Sequence, residues 1–99
     1  MSDETNGCAE LTHTFNDRFL GQEASFTFRF ARPGKPQVDR AQKLMMKKKV
    51  DAAMRALCLD VIHEEDRQAF TEALETYPGL AGTFGEALLD SCGFGQLGN

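Results

Sequence analysis

The sequence predicts an α+β fold, mainly helical: a short antiparallel β-hairpin followed by about four packed helices. Three observations predict it. Phe26, Phe28 and Phe30 alternate with Thr27 and Arg29, the period-two pattern of a strand with one apolar face. From Val50 to Ile62 the apolar residues Val50, Ala53, Met54, Leu57, Cys58, Val61 and Ile62 recur at intervals of three and four, the period of one helix face. Three further segments repeat that helical period between Pro and Gly punctuation. The 99 residues suffice for a single core, so residues 1–99 form one domain, with 1–7 and 95–99 expected as disordered tails.

Taken in order, Cys8 to Phe19 is ambiguous. Cys8, Leu11, Phe15 and Phe19 are spaced as on a helix, whereas Leu11, His13 and Phe15 alternate as in a strand. Gly21-Gln22-Glu23 reads as a turn and Ala24 to Phe30 as the strand after it, with Asp17 to Leu20 as its antiparallel partner. Pro33, Gly34 and Pro36 end the strand, and Pro36 suits the first turn of a helix running to Lys48, with Val38, Ala41, Leu44 and Met45 as a thin apolar stripe. In the Val50–Ile62 helix, Asp51, Arg55 and Asp60 fall on the side left for water. His63-Glu64-Glu65-Asp66 has the composition of a helix start, with acids at the positive end of the dipole, and reads as capping in preference to catalysis. Ala69, Phe70, Ala73, Leu74 and Tyr77 form the next stripe. After Pro78-Gly79, Leu80, Phe84, Ala87, Leu88 and Cys92 form the last, with Gly93 placed for a left-handed cap.

Charge is laid out in blocks. Net charge is −4, divided into −4 over residues 1–28, +7 over 29–49 and −7 over 50–99. Such asymmetry means either a charged partner surface or complementarity between the protein's own segments. The basic residues Arg29, Arg40, Lys43, Lys47 and Lys48 are the candidates for a partner surface, and Phe94 and Leu97 in the Gly-rich tail either fold back or offer themselves to a partner. The run Lys47-Lys48-Lys49 suits a solvated helix end as readily as a nucleic-acid contact.

The chemistry-bearing patterns are sparse. Cys8, Cys58 and Cys92 are far apart, with no Cys-x-x-Cys or His-x-x-x-His pair, so they read as small hydrophobes and no metal or cofactor is expected. Gly79, Gly82 and Gly85 follow no strand, which argues for helix contact and against a phosphate loop. Ser2, Ser25 and Ser91 lack a nucleophile-elbow context, and Glu64 and Glu65 are sequence neighbours that point to different helix faces. A non-enzymatic protein is therefore expected. No apolar run approaches the roughly 18 residues of a membrane span. Residues 1–10 carry Asp3, Glu4 and Glu10 without an apolar signal core, so a cytoplasmic location with no membrane partner is expected.

The order of several pieces carries a family resemblance. They are Phe26-Thr27-Phe28-Arg29-Phe30 running into Arg32-Pro33, then Asp39-Arg40, Cys58-Leu59-Asp60-Val61-Ile62, Glu65-Asp66-Arg67, and Tyr77-Pro78-Gly79-Leu80. Together they resemble the small tail assembly chaperones of long-tailed bacteriophages and prophages, over roughly Leu20 to Phe94. The chain departs from that pattern at Gly34-Lys35-Pro36, where a plainer polar run is usual. The resemblance implies a non-enzymatic role in a bacterial host: binding the tape measure protein and assisting tail tube assembly. It also implies that a second, longer product of a translational frameshift is common, and it transfers no discrete site residues. The alternative reading is a small nucleic-acid-binding accessory protein using the basic 29–49 segment; self-association is open on either reading.

Overall fold

The computed structural model describes residues 7–94. β1 (Cys8–Asp17) and β2 (Gln22–Ala31) pair antiparallel along their whole length, from Cys8 opposite Ala31 to Asp17 opposite Gln22. Four helices follow: α1 (Lys35–Met46), α2 (Val50–Val61), α3 (Arg67–Thr76), entered through a single 3-10 turn at Glu64–Asp66, and α4 (Leu80–Ser91). The predicted hairpin and four helices are all present, while the hairpin's partner strand and turn differ from expectation. Cys8–Asp17, and not Asp17–Leu20, is the partner of β2, and the turn falls at 18–21 instead of 21–23.

Local chemistry explains the shift. The Asp17 carboxylate accepts the backbone N–H groups of Phe19 (2.9 Å) and Leu20 (3.2 Å), an Asx-type turn. Gly21 supplies the positive φ of 69°, and its N–H donates to the Asp17 carbonyl at 2.8 Å. The helical alternative for residues 8–19 loses because alternation places Leu11, His13 and Phe15 on the core side. Thr12 and Thr14 on the outer side meet Thr27 and Ser25 across the ladder at 2.8 and 2.9 Å.

Burial follows the hairpin's parity. Phe28 and Phe30 lie against Phe70 of α3 and Phe84 of α4, with ring centroids 5.2–5.9 Å apart and mostly edge-to-face. Each fully buried ring contributes on the order of 1.5–3 kcal/mol. The predicted stripe of α2 is the floor of this core: Ala53, Met54, Leu57, Cys58 and Val61 are buried, but Val50 stays exposed at the helix start. Ile62 leaves the helix in extended geometry and bridges to Phe30, while the His63 N–H donates to the Arg29 carbonyl at 2.8 Å. This single antiparallel bridge ties the connection after α2 to the far edge of β2. The His63 side chain accepts the Glu65 N–H at 3.1 Å, the capping role its context predicts.

Helix ends deviate from expectation in one instructive place. α1 stops at Met46 and not at Lys48, because Lys48 adopts φ 62°. The N–H of Lys48 donates to the Met45 carbonyl and that of Lys49 to the Leu44 carbonyl, both at 2.9 Å, which is the paired closure of a Schellman cap. The same closure ends α4, where Gly93 (φ 97°) and Phe94 donate to Asp90 and Leu89. Of the three regularly spaced glycines, Gly85 alone meets a neighbour at close range: a Cβ there would stand 2.6 Å from the Met54 sulfur and 3.3 Å from its Cα, whereas one at Gly79 or Gly82 would meet nothing within 4 Å. The tails expected at 1–7 and 95–99 lie, apart from Gly7, outside the described residues.

Two outcomes follow for stability in urea. Gly82→Ala raises the unfolding free energy by about 1 kcal/mol through helix propensity, whereas Gly85→Ala lowers it by about 1–2 kcal/mol by forcing α4 off α2. Lys48→Gly raises it by about 0.5–1 kcal/mol by relieving the left-handed lysine, and Lys48→Ala, which removes the same charge, gives no such gain.

Candidate partner-binding surfaces

The basic block divides into residues used internally and residues left over. Arg29 belongs to the first group. Its guanidinium grips Asp66 through Nε (3.0 Å) and Nη2 (2.8 Å), its backbone N–H donates to the same carboxylate at 2.8 Å, and Glu65 stands at 3.4 Å. That hydrogen-bonded pairing holds the Asp66 carboxyl below the usual carboxylate range and raises the Arg29 guanidinium. Arg40 of α1 pairs with Asp60 of α2 at 3.1 Å, and Arg32 donates to the Ser91 carbonyl at the end of α4 at 2.9 Å. At Arg29 and Arg40 the charge asymmetry is thus complementarity within the chain. Lys43, Lys47 and Lys48 are exposed and enter no ion pair among the described residues.

Those lysines share the α1–α2 corner with two apolar side chains. Met46 is 82% exposed and Val50 53%, one on each side of the lysine run. A second exposed apolar pair sits on the hairpin turn, where Phe19 is fully and Leu20 largely exposed. Phe94 is 42% exposed beside a groove of about 410 Å³ shared with Arg32, Pro33, Lys35, Val38 and Cys92. Leu97 lies outside the described residues. The structure therefore leaves Lys43, Lys47, Lys48 and Phe94 accessible and commits Arg29 and Arg40 to internal pairs. Sequence reasoning missed Phe19, Leu20, Met46 and Val50. Met46 and Val50 border a lysine run, and that polar context was the available signal for a corner and not a core.

A third surface lies beside β1. His13 and Phe15 form one wall of a groove of about 430 Å³, and Tyr77, Leu80 and Thr83 form the other. The Tyr77 hydroxyl donates to the Asp17 carboxylate at 2.5 Å, tying the end of α3 to the hairpin turn. This bond, with the Leu20 and Phe19 N–H groups, lowers the Asp17 carboxyl below its ordinary range, and Asp17 in turn raises the Tyr77 phenol. Elsewhere the thiol chemistry is muted: burial pushes Cys58 up to about 12. Among the described residues no cluster of three or more His, Cys, Asp or Glu is placed to hold a metal ion, and no helix is long and apolar enough to cross a membrane.

The paired shifts fix the sign of a pH dependence. The depressed Asp17 contributes stability above its unfolded value of about 3.9, lost as pH falls through the lower folded value. The raised Tyr77 contributes below its unfolded value of about 10, lost as pH rises through the higher folded value. Tyr77→Phe therefore unfolds at lower urea than the wild type at pH 7, and the gap narrows both in acid and in strong alkali. Urea midpoints across the pH range measure it.

Comparison with known proteins places this geometry in a family. No curated protein matches the sequence. Among solved structures, the uncharacterised protein RBSTP2171 from Bacillus stearothermophilus is similar, with a TM-score of 0.71 at 25% identity, covering 90% of this chain and 88% of the other. The profile of a domain of unknown function, DUF6848, matches residues 11–99. That match takes in most of β1, the whole of β2 and all four helices, and the chain belongs to the DUF6848 family.

Proposed function

We propose that this protein is a non-enzymatic tail assembly chaperone of a phage or prophage, binding the tape measure protein and assisting tail tube assembly in the cytoplasm of a bacterial host. The observation that carries the reading is the α1–α2 corner, where Met46 and Val50 are exposed beside Lys43, Lys47 and Lys48. A chaperone for a long, aggregation-prone client needs apolar side chains in water, close to charges that keep the complex soluble. The resemblance in the order of sequence pieces supplies the identity of the client. The nucleic-acid alternative loses support because Arg29 and Arg40, two of its five proposed contacts, already hold Asp66 and Asp60.

Co-expression with the cognate tape measure protein tests it. The soluble fraction of the tape measure protein rises, and Met46→Glu with Val50→Glu reduces that rise several-fold while leaving the chaperone folded, since both residues are exposed. An unchanged soluble fraction at matched expression overturns the reading.

A further inference from the structure

The hairpin leaves one long strand edge open, and its direction follows from Arg29. The Arg29 carbonyl accepts from His63 and its N–H donates to Asp66, so both backbone groups point away from β1. Directly opposed residues of an antiparallel ladder either bond to each other or both face outward, in alternation. Glu10, opposite Arg29, therefore faces outward, and so do Thr12, Thr14 and Asn16. These four make no backbone hydrogen bond among the described residues. Of the usual protections of an edge strand β1 has no Pro, no Lys and no bulge, and Glu10 is the one charged residue among its outward-facing positions.

The groove beside β1 lies along this open edge. Leu11, His13 and Phe15 face the core side, and Leu80 and Thr83 of α4 form the opposite wall of the groove. A strand added to β1 would send alternate side chains, about 7 Å apart, down onto that ledge. Its other side chains would lie on the outer face beside Glu10, with Glu23 one strand further on β2, and the basic Arg29 of that face is already neutralised by Asp66 and Glu65. The outer face thus favours a basic strand, and the groove favours an apolar one on its inner side.

We infer that the β1 edge binds one extended segment of a client protein by strand addition, the segment carrying apolar residues at alternate positions and basic residues between them. The inference rests on the protein-binding function proposed above and adds to the α1–α2 corner a second, separate contact for the client. A single segment fits better than a second copy of this chain. Because α4 underlies the open edge, a second copy joined edge to edge would bring its own α4 onto the same ledge. Backbone hydrogen bonds supply affinity at such an edge, and the groove supplies selection for side chains.

The test titrates the isotope-labelled full chain with a short synthetic peptide alternating Val with Lys or Thr. Binding protects the amides of Glu10, Thr12, Thr14 and Asn16 from exchange and shifts the signals of His13, Phe15 and Leu80. A peptide of the same composition with its Val and Lys residues in separate blocks binds at least tenfold more weakly. Thr12→Pro removes an outward N–H, keeps every backbone hydrogen bond of the β1–β2 ladder and loses only the Thr12–Thr27 hydroxyl contact. It weakens binding at least tenfold with the fold intact, whereas Thr12→Val, which loses that contact alone, binds as wild type does. The amide pattern is read on the wild-type chain, so it decides the matter even where the variant does not fold. Absence of protection on β1, shifts centred on the α1–α2 corner, or a homodimer that already protects these amides and separates on Thr12→Pro would each overturn the inference. A folded Thr12→Pro chain that still solubilises the tape measure protein as wild type does would refute the edge site and leave the chaperone reading standing. A wild-type chain that fails to solubilise it refutes the chaperone reading, whatever the peptide does.

Discussion

Everything in this structure depends on the contact of Phe28 and Phe30 with Phe70 and Phe84. A two-stranded hairpin has too little core of its own to be stable in water, and it persists because one face is covered by helices. The four rings supply that cover, meeting mostly edge to face, an arrangement that favours aromatic pairs beyond the area they bury. Two rings come from one strand and one each from α3 and α4, so the cluster joins three elements far apart in the chain. The close approach of α4 to α2 at Gly85 and Met54 then closes the floor beneath it.

Charge reinforces the same join. The Arg29–Asp66 fork lies on the outer side of β2, opposite the phenylalanines, so the strand is held on both faces. Asp66 also satisfies the Arg29 backbone N–H, which an outward-facing position on β2 would otherwise leave to solvent. Arg40–Asp60 joins α1 to α2 in a weaker way, as a surface pair with Arg40 mostly exposed. At Arg29 and Arg40 the blockwise distribution of charge is thus a record of which segments touch. The lysines that remain unpaired among the described residues gather at the α1–α2 corner, beside Met46 and Val50.

The helices were legible because each carries an apolar stripe long enough to exclude a strand. β2 was legible from three phenylalanines in alternation. β1 was not, because Leu11, Phe15 and Phe19 satisfy the helical spacing as well as Leu11, His13 and Phe15 satisfy the strand spacing. The choice between them was made by tertiary contact, since Phe15 stacks on Phe26 of the paired strand and meets Tyr77 across the groove. The turn is hard to place from sequence for a related reason: Asp17 nucleates it with its side chain, while Gly21, the stronger turn signal by composition, is its last residue. Lys48 shows a different limit. A glycine at that position would have announced the end of α1, whereas a lysine in the left-handed region conceals it.

The same logic separates what a core can reveal from what a surface can. Core positions constrain residue type through volume and period, so Leu57 and Phe84 announce themselves. The candidate surfaces depend on direction, which a sequence does not carry. Arg29 and Lys47 look alike as letters, yet one is enclosed by two carboxylates and the other stands in solvent. Thr12 and Thr27 likewise read as matched polar strand residues. The backbone of Thr27 faces the side of β2 that the Ile62–His63 segment covers at one end, while that of Thr12 faces an edge nothing covers among the described residues. An asymmetry of that kind is set by which strand the helices return to. It arises here because the chain leaves β2, not β1, and α2 brings Ile62 back to the strand it came from.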